Sequence, residues 1–138
     1  MKLVFMRHAI AHPSDAQTSD FDRTLTPKGI DRTYQTAALL KAIGFKPDHI
    51  YASPLLRALQ TANIVGDTLG IEVEERLEVA PGFSITAVDA LTRELDDDAT
   101  VLFVGHEPDF SATIAALGGG RVVMKKGGLA RVDLVSRD

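Results

Sequence analysis

Three short apolar runs, Leu3 to Met6, Ile50 to Ala52 and Val101 to Val104, restrict the fold more than any other feature of the chain. None alternates with polar residues, so each reads as a strand covered on both faces, the habit of a parallel sheet held between helical layers. The stretches between them carry helical punctuation. Thr26 is placed to cap a helix that Pro27 opens and Gly44 ends, with Ile30, Tyr34, Ala37 and Leu40 as its apolar face. Ser53 and Pro54 start a second helix by the same grammar, with Leu55, Leu59, Ala62, Val65 and Leu69 as its stripe and Gly70 as its end.

The remainder is weaker but consistent. Ile71 to Leu77 reads as an edge strand, because Glu72, Glu74 and Glu75 demand a wet side. Ser84 to Leu95 has helical spacing, Asp96 to Asp98 a solvated turn, and Phe110 to Leu117 a short helix starting near Pro108. Arg121 to Met124 and Leu129 to Val135 are expected to be a final strand pair connected through Gly127 and Gly128. Strand and helix alternate without repeat or linker, which predicts one three-layer α/β/α domain over residues 1–138 with a mostly parallel sheet. At 45% apolar residues a chain of this length can fill such a core.

Composition removes several classes of function. There is no cysteine, so disulfide scaffolds, zinc ribbons and thiol nucleophiles are excluded. A net charge of −4, with 6% aromatic residues and no tryptophan, argues against nucleic-acid partners and basic membrane surfaces. No apolar run approaches a membrane span, and the stretch ending at Met6 is too short for a signal peptide, so a cytoplasmic location and no membrane partner are expected.

The residues directly after each strong strand are informative. Arg7 and His8 succeed the first, Ser53, Pro54 and then Arg57 the second, and Gly105 and His106 the third. Ligands of open α/β sheets bind beyond the carboxyl ends of the strands, so these residues are expected to converge. Two guanidinium groups, a helix N-terminus and a hydroxyl suit a phosphoryl group, and a neutral imidazole beside it can attack phosphorus. Taken singly, Arg7 and His8 also suit a solvated loop, Arg57 a surface ion pair and His106 a backbone-satisfied buried histidine. Their joint occurrence at three strand ends favours the phosphoryl reading. His8 and His12 stand four apart, but Pro13 and the nearby arginines disfavour a helical metal site, so no metal is expected. Ser53 lacks the Gly-x-Ser-x-Gly elbow of a serine nucleophile.

The blocks Phe5-Met6-Arg7-His8-Ala9, Leu25-Thr26-x-x-Gly29, Ser53-Pro54-x-x-Arg57-Ala58-x-Gln60-Thr61-Ala62 and Val104-Gly105-His106-x-Pro108 resemble the histidine phosphatase superfamily, and within it the SixA-like phosphohistidine phosphatases. The resemblance runs in family order over essentially the whole chain. It implies a phosphoglycerate mutase-like fold, His8 as the phosphoryl-accepting nucleophile, and Arg7, Arg57 and His106 as the phosphate pocket, with Ser53 beside it. It also implies an acid that protonates the leaving group, matched here to Glu78, with Glu74 and Glu75 close by. Ala9 stands where the family usually has glycine, and any positive φ there would cost energy. The chain leaves little room for a cap. The longest candidate lid is Ala9 to Arg23, whose Asp20, Asp22 and Arg23 are placed to line an entrance.

The expected activity is therefore a monomeric, metal- and cofactor-independent phosphatase acting on phosphohistidine of a signalling protein. A small phosphate ester is the alternative substrate, and a non-catalytic phosphate-binding module the alternative function.

Overall fold

In a computed structural model that describes residues 1–120 and 122–134, the three apolar runs form β1 (Lys2–Arg7), β2 (His49–Ala52) and β4 (Thr100–Gly105). The other elements are α1 (Pro27–Ala42), α2 (Leu56–Leu69), β3 (Val73–Glu75), α3 (Ile85–Thr92), α4 (Asp109–Ala116) and β5 (Leu129–Asp133), with a 3₁₀ turn at Leu77–Val79. One five-stranded sheet runs in the order β3-β2-β4-β1-β5, parallel except for β5, which pairs antiparallel with β1. The Glu-rich β3 is an edge strand, as its carboxylates require.

The lack of alternation in β1 and β4 has the expected origin, a covered face on each side. Leu3, Phe5, Val101 and Phe103 point into one cluster with Val79, Leu91, Phe110 and Ile114. Val4, Met6, Leu102 and Val104 point into the other, with Ala37, Ala62 and Val65 from α1 and α2. The aromatic side is tightly interlocked: the Phe5 ring stacks on Phe103 at 5.3 Å and meets Phe110 edge-on at 5.3 Å.

The helices start and stop close to their signals, with two corrections. Thr26 caps α1 by accepting from the Gly29 N–H at 3.0 Å. The buried face of α1, however, is Gly29, Thr33 and Ala37, while Ile30 and Tyr34 are exposed. Small residues win that face because the helix lies against backbone: a Cβ at Gly29 would stand 2.2 Å from the Ile10 carbonyl oxygen. Gly29→Ala is therefore expected to destabilise the protein by about 3 kcal/mol, the upper range of overpacking costs, since backbone must retreat. Urea unfolding measures this, and a loss below about 1 kcal/mol would contradict the rigidity of that contact.

The second correction concerns α2. It begins at Leu56, and its N-cap position is Leu55 rather than Ser53. The Ser53 hydroxyl accepts the Leu55 N–H at 3.1 Å inside the entry turn, and the Leu56 N–H goes to the Phe21 carbonyl at 3.1 Å. The tail also differs from expectation. Residues 122–124 are irregular, because the Met124 carbonyl is turned to the Arg7 guanidinium at 3.0 Å and not to a strand. Leu129–Asp133 is a strand, whereas Arg121 and Val135 lie outside the described residues. No helix among the described residues is long and apolar enough to cross a membrane.

Candidate active site

Strand register brings the predicted residues together. Arg7 pairs with Gly105 across the β1–β4 ladder, and the His8 N–H continues the ladder to the Gly105 carbonyl at 3.0 Å. On the other side Ala52 pairs with Val104, and the Ser53 N–H reaches the Val104 carbonyl at 3.0 Å. His8, His106 and Ser53 thus leave three adjacent strands within one residue of the same level. Arg57 arrives from the first turn of α2. His8, Arg57 and His106 are 7%, 6% and 5% exposed, and the two imidazole rings lie 5.4 Å apart.

The His8 ring is held in one tautomer. Its Nδ1 lies 2.8 Å from the Ala9 carbonyl oxygen, an acceptor only, so Nδ1 carries the proton and Nε2 the lone pair. The Arg57 Nε–H points at that lone pair from 3.3 Å. Ala9 fits without strain. No described residue other than glycine has positive φ, and the Ala9 N–H is taken by the Thr61 hydroxyl at 3.1 Å. Thr61 in turn donates to the Arg57 carbonyl at 2.8 Å, which ties the loop that carries His8 to α2.

His106 Nε2 lies 2.8 Å from the Ser53 hydroxyl. Ser53 is fully buried and does not line the cleft, so its place is behind His106. Gly105 is needed for close approach: a Cβ there would come within 2.7 Å of the Phe110 ring. Arg7 donates Nη1 to the Met124 carbonyl at 3.0 Å, and its buried Nε has no partner among the described residues. The loop before β5 closes this side. The Gly127 N–H reaches the carbonyls of Arg7 at 3.1 Å and His8 at 3.0 Å, and the Arg7 N–H reaches Gly128 at 3.0 Å.

Glu78 does not join the group. Its carboxylate pairs with Arg76 at 3.0 Å, outside the cleft lining, and its own backbone N–H and Arg76 hold its pKa below the usual glutamate value. The carboxylates that do line the cleft are Glu107 and Asp109. Glu107 is bound by the backbone N–H and hydroxyl of Ser111, and Asp109 accepts the Gly82 N–H at 2.7 Å. Among the described residues no three His, Asp or Glu side chains are grouped so as to hold a metal ion.

Two further cations complete the lining: Arg23, from the β1–α1 loop, and Lys126, from the loop before β5, which no motif in the sequence marks. Asp20 bridges the arginines: its carboxylate pairs with Arg23 at 3.0 Å and Arg57 at 3.4 Å, while its carbonyl accepts from Arg57 at 2.8 Å. The resulting cleft holds about 350 Å³. A larger groove of about 510 Å³ lies at the amino-terminal ends of β1 and β4, beside the end of α1, and contains none of these residues.

Electrostatics keep both histidines neutral. Burial, followed by the charges of Arg57, Arg7 and Arg23, lowers the pKa of His8 to about 4, against the opposing pull of the Ala9 carbonyl. Burial, then His8 and Arg57, lowers His106 to about 3. An unfolded histidine binds its proton near pH 6.5, so between that value and about pH 4 the unfolded state binds more protons. Stability is therefore full above about pH 6.5 and is lost as pH falls. From pH 7 to 4.5 the loss is expected to be on the order of 4 kcal/mol for the two rings together. Urea titrations at both pH values test this, and equal midpoints would refute neutral burial.

Comparisons with known proteins agree with the geometry. The sequence profile of the histidine phosphatase superfamily (branch 1) matches residues 3–80. An uncharacterized protein of Picosynechococcus sp. is 38% identical over 136 residues, which cover 94% of this chain and 82% of that protein. The phosphohistidine phosphatase SixA of Escherichia coli is 33% identical over 121 residues, 85% of this chain and 74% of its own. The solved structure of the protein histidine phosphatase SixA complexed with tungstate superposes with a TM-score of 0.86 at 31% identity, covering 97% of this chain and 88% of the other.

Proposed function

Because the chain belongs to branch 1 of the histidine phosphatase superfamily, we propose that it is a phosphatase that transfers the phosphoryl group of phosphohistidine on a protein to His8 and then to water. The observation that carries this reading is the His8 ring: Nδ1–H is fixed on the Ala9 carbonyl, so the lone pair of Nε2 is presented beside Arg57. In the first step Nε2 forms a bond to phosphorus as the donor nitrogen leaves with the bonding pair. The Ala9 carbonyl, already bound to Nδ1–H, steadies the positive charge that develops on the ring. In the second step water attacks phosphorus, the P–Nε2 bond breaks, orthophosphate departs, and His8 returns to its starting tautomer.

In this reading Arg57, Arg7 and His106 hold the equatorial oxygens, where charge gathers during transfer. The buried Arg7 Nε, without an acceptor among the described residues, is a donor in want of an anion. An incoming phosphoryl oxygen would also relieve His8 Nε2 of the Arg57 Nε–H.

Phosphohistidine is favoured over an alkyl ester by the leaving group. A phosphorylated imidazole takes its proton from solvent on the free ring nitrogen and departs neutral, so no enzyme acid is required. Glu78 pairs with Arg76 away from the cleft lining, and the carboxylates that do line it, Glu107 and Asp109, are engaged by Ser111 and the Gly82 N–H, which argues against an acid poised for an ester. General acids contribute about 10²- to 10⁴-fold, so kcat/KM for a phosphohistidine protein should exceed that for alkyl phosphate esters by at least about 100-fold. A parallel assay of released phosphate decides. Esters equal to or better than phosphohistidine would overturn the substrate assignment.

A further inference from the structure

We propose that the cleft mouth holds a second anion subsite, made by Arg23 and Lys126, that reads a carboxylate or other negative group next to the transferring phosphoryl group. This rests on the phosphatase reading and deepens it. The two cations come from separate loops, and each loop is built onto the catalytic strand end. Arg23 donates Nε to the His12 carbonyl at 2.6 Å and Nη1 to Asp20 at 3.0 Å. Among the described residues its Nη2 has no protein partner and it is not fully buried, so one edge of a fixed guanidinium stays open. It stands near enough to His8 to contribute to the lowered pKa of that ring. Its side chain is 22% exposed against 7% for Arg57, which places it nearer the entrance.

Lys126 is exposed, but its position is not arbitrary. The bonds from Gly127 to the carbonyls of Arg7 and His8 clamp the loop immediately after it, and Met124 is clamped two residues before it. Lys126 therefore lines the cleft from a fixed base, with a flexible ammonium at the rim.

Pairing within the cleft indicates what these two groups are for. Arg7 and Arg57 together match a phosphoryl dianion. Asp20 pairs with Arg23 and Arg57, while the two lining carboxylates accept from Ser111 and the Gly82 N–H and form no ion pair with Arg23 or Lys126 among the described residues. The open edge of Arg23 and the Lys126 ammonium therefore remain as donors at the mouth. Phosphate alone leaves them unused. A donor with a second anionic group close to its phosphoryl group would engage them, as an acidic side chain beside phosphohistidine does.

Methyl phosphate and phosphoglycolate differ by one carboxylate, so the ratio of their dissociation constants isolates the subsite. By calorimetry the wild-type protein is expected to bind phosphoglycolate about tenfold more tightly, the value of one charge-assisted contact. Arg23→Gln and Lys126→Gln should each lower that ratio by about threefold, the double variant should bring it near unity, and Lys126→Arg should restore it. Lys125→Gln, in the same loop but off the cleft, serves as the control and should keep it. A wild-type ratio near unity, or a ratio that survives the double substitution, would overturn the subsite. So would an equal loss for both ligands, which would assign the two residues to the phosphoryl group itself. Failure of the wild-type protein to bind methyl phosphate at all would instead refute the phosphatase reading.

Discussion

His8→Ala is expected to lower turnover of a phosphohistidine protein by at least about 10⁴-fold, since removal of a nucleophile is among the costliest single changes an active site can suffer. The substitution removes the lone pair at Nε2 and leaves Arg7, Arg57 and His106 in the cleft, where phosphate binding is expected to persist. Binding without turnover is thus the expected phenotype. In the wild-type protein, rapid quenching with a labelled donor should trap phosphate on His8 in a form stable to base and labile to acid. Turnover within tenfold of wild type in the variant would end the covalent mechanism. Retained phosphate binding without turnover in the wild-type protein would instead favour a binding module.

Substitution of Arg57 should have the next largest effect. Its guanidinium makes three contacts at once, with His8 Nε2 at 3.3 Å, the Asp20 carbonyl at 2.8 Å and the Asp20 carboxylate at 3.4 Å. Lysine keeps the charge and loses the fork, so Arg57→Lys is not conservative here. Both Arg57→Lys and Arg57→Ala are expected to lower kcat by about 10²- to 10³-fold, the cost of one lost donor to the transferring group. A second readout separates this from misfolding. Arg57 is one of the cations that lower the pKa of His8, so in Arg57→Ala the His8 titration followed by NMR should move up from about 4. An unmoved titration with full activity would place Arg57 outside the site.

Much of this architecture is legible in the residues, for a reason that also explains the rest. The central strands announce themselves because both faces are buried, and Arg7, His8 and His106 stand directly where those strands end. Thr26, Pro27 and Gly70 speak through local backbone chemistry alone. Features set by the approach of distant backbone are hidden. Ile30 and Tyr34 look like a core face, yet the contact between Gly29 and Ile10 rotates them into solvent. Ser53 has the chemistry of a cap and serves His106 instead. Glu78 has the sequence position of an acid, but its side chain pairs with neighbouring Arg76 outside the cleft lining. Lys126 reads as one of two lysines in a turn, and only the bonds from Gly127 to β1 reveal where that turn sits.

β1 lies inside the sheet, with β4 on one side and β5 on the other, and both neighbours are far from it along the chain. During synthesis β1 must therefore wait for residues beyond Gly128 before its ladder and the pocket of Arg7 are complete. Closing such long loops slows folding, so this domain should fold late and as a unit rather than strand by strand. A nascent chain halted before β5 would carry His8 and both arginines without a finished site to hold them, and phosphatase chemistry would begin only once β5 has docked.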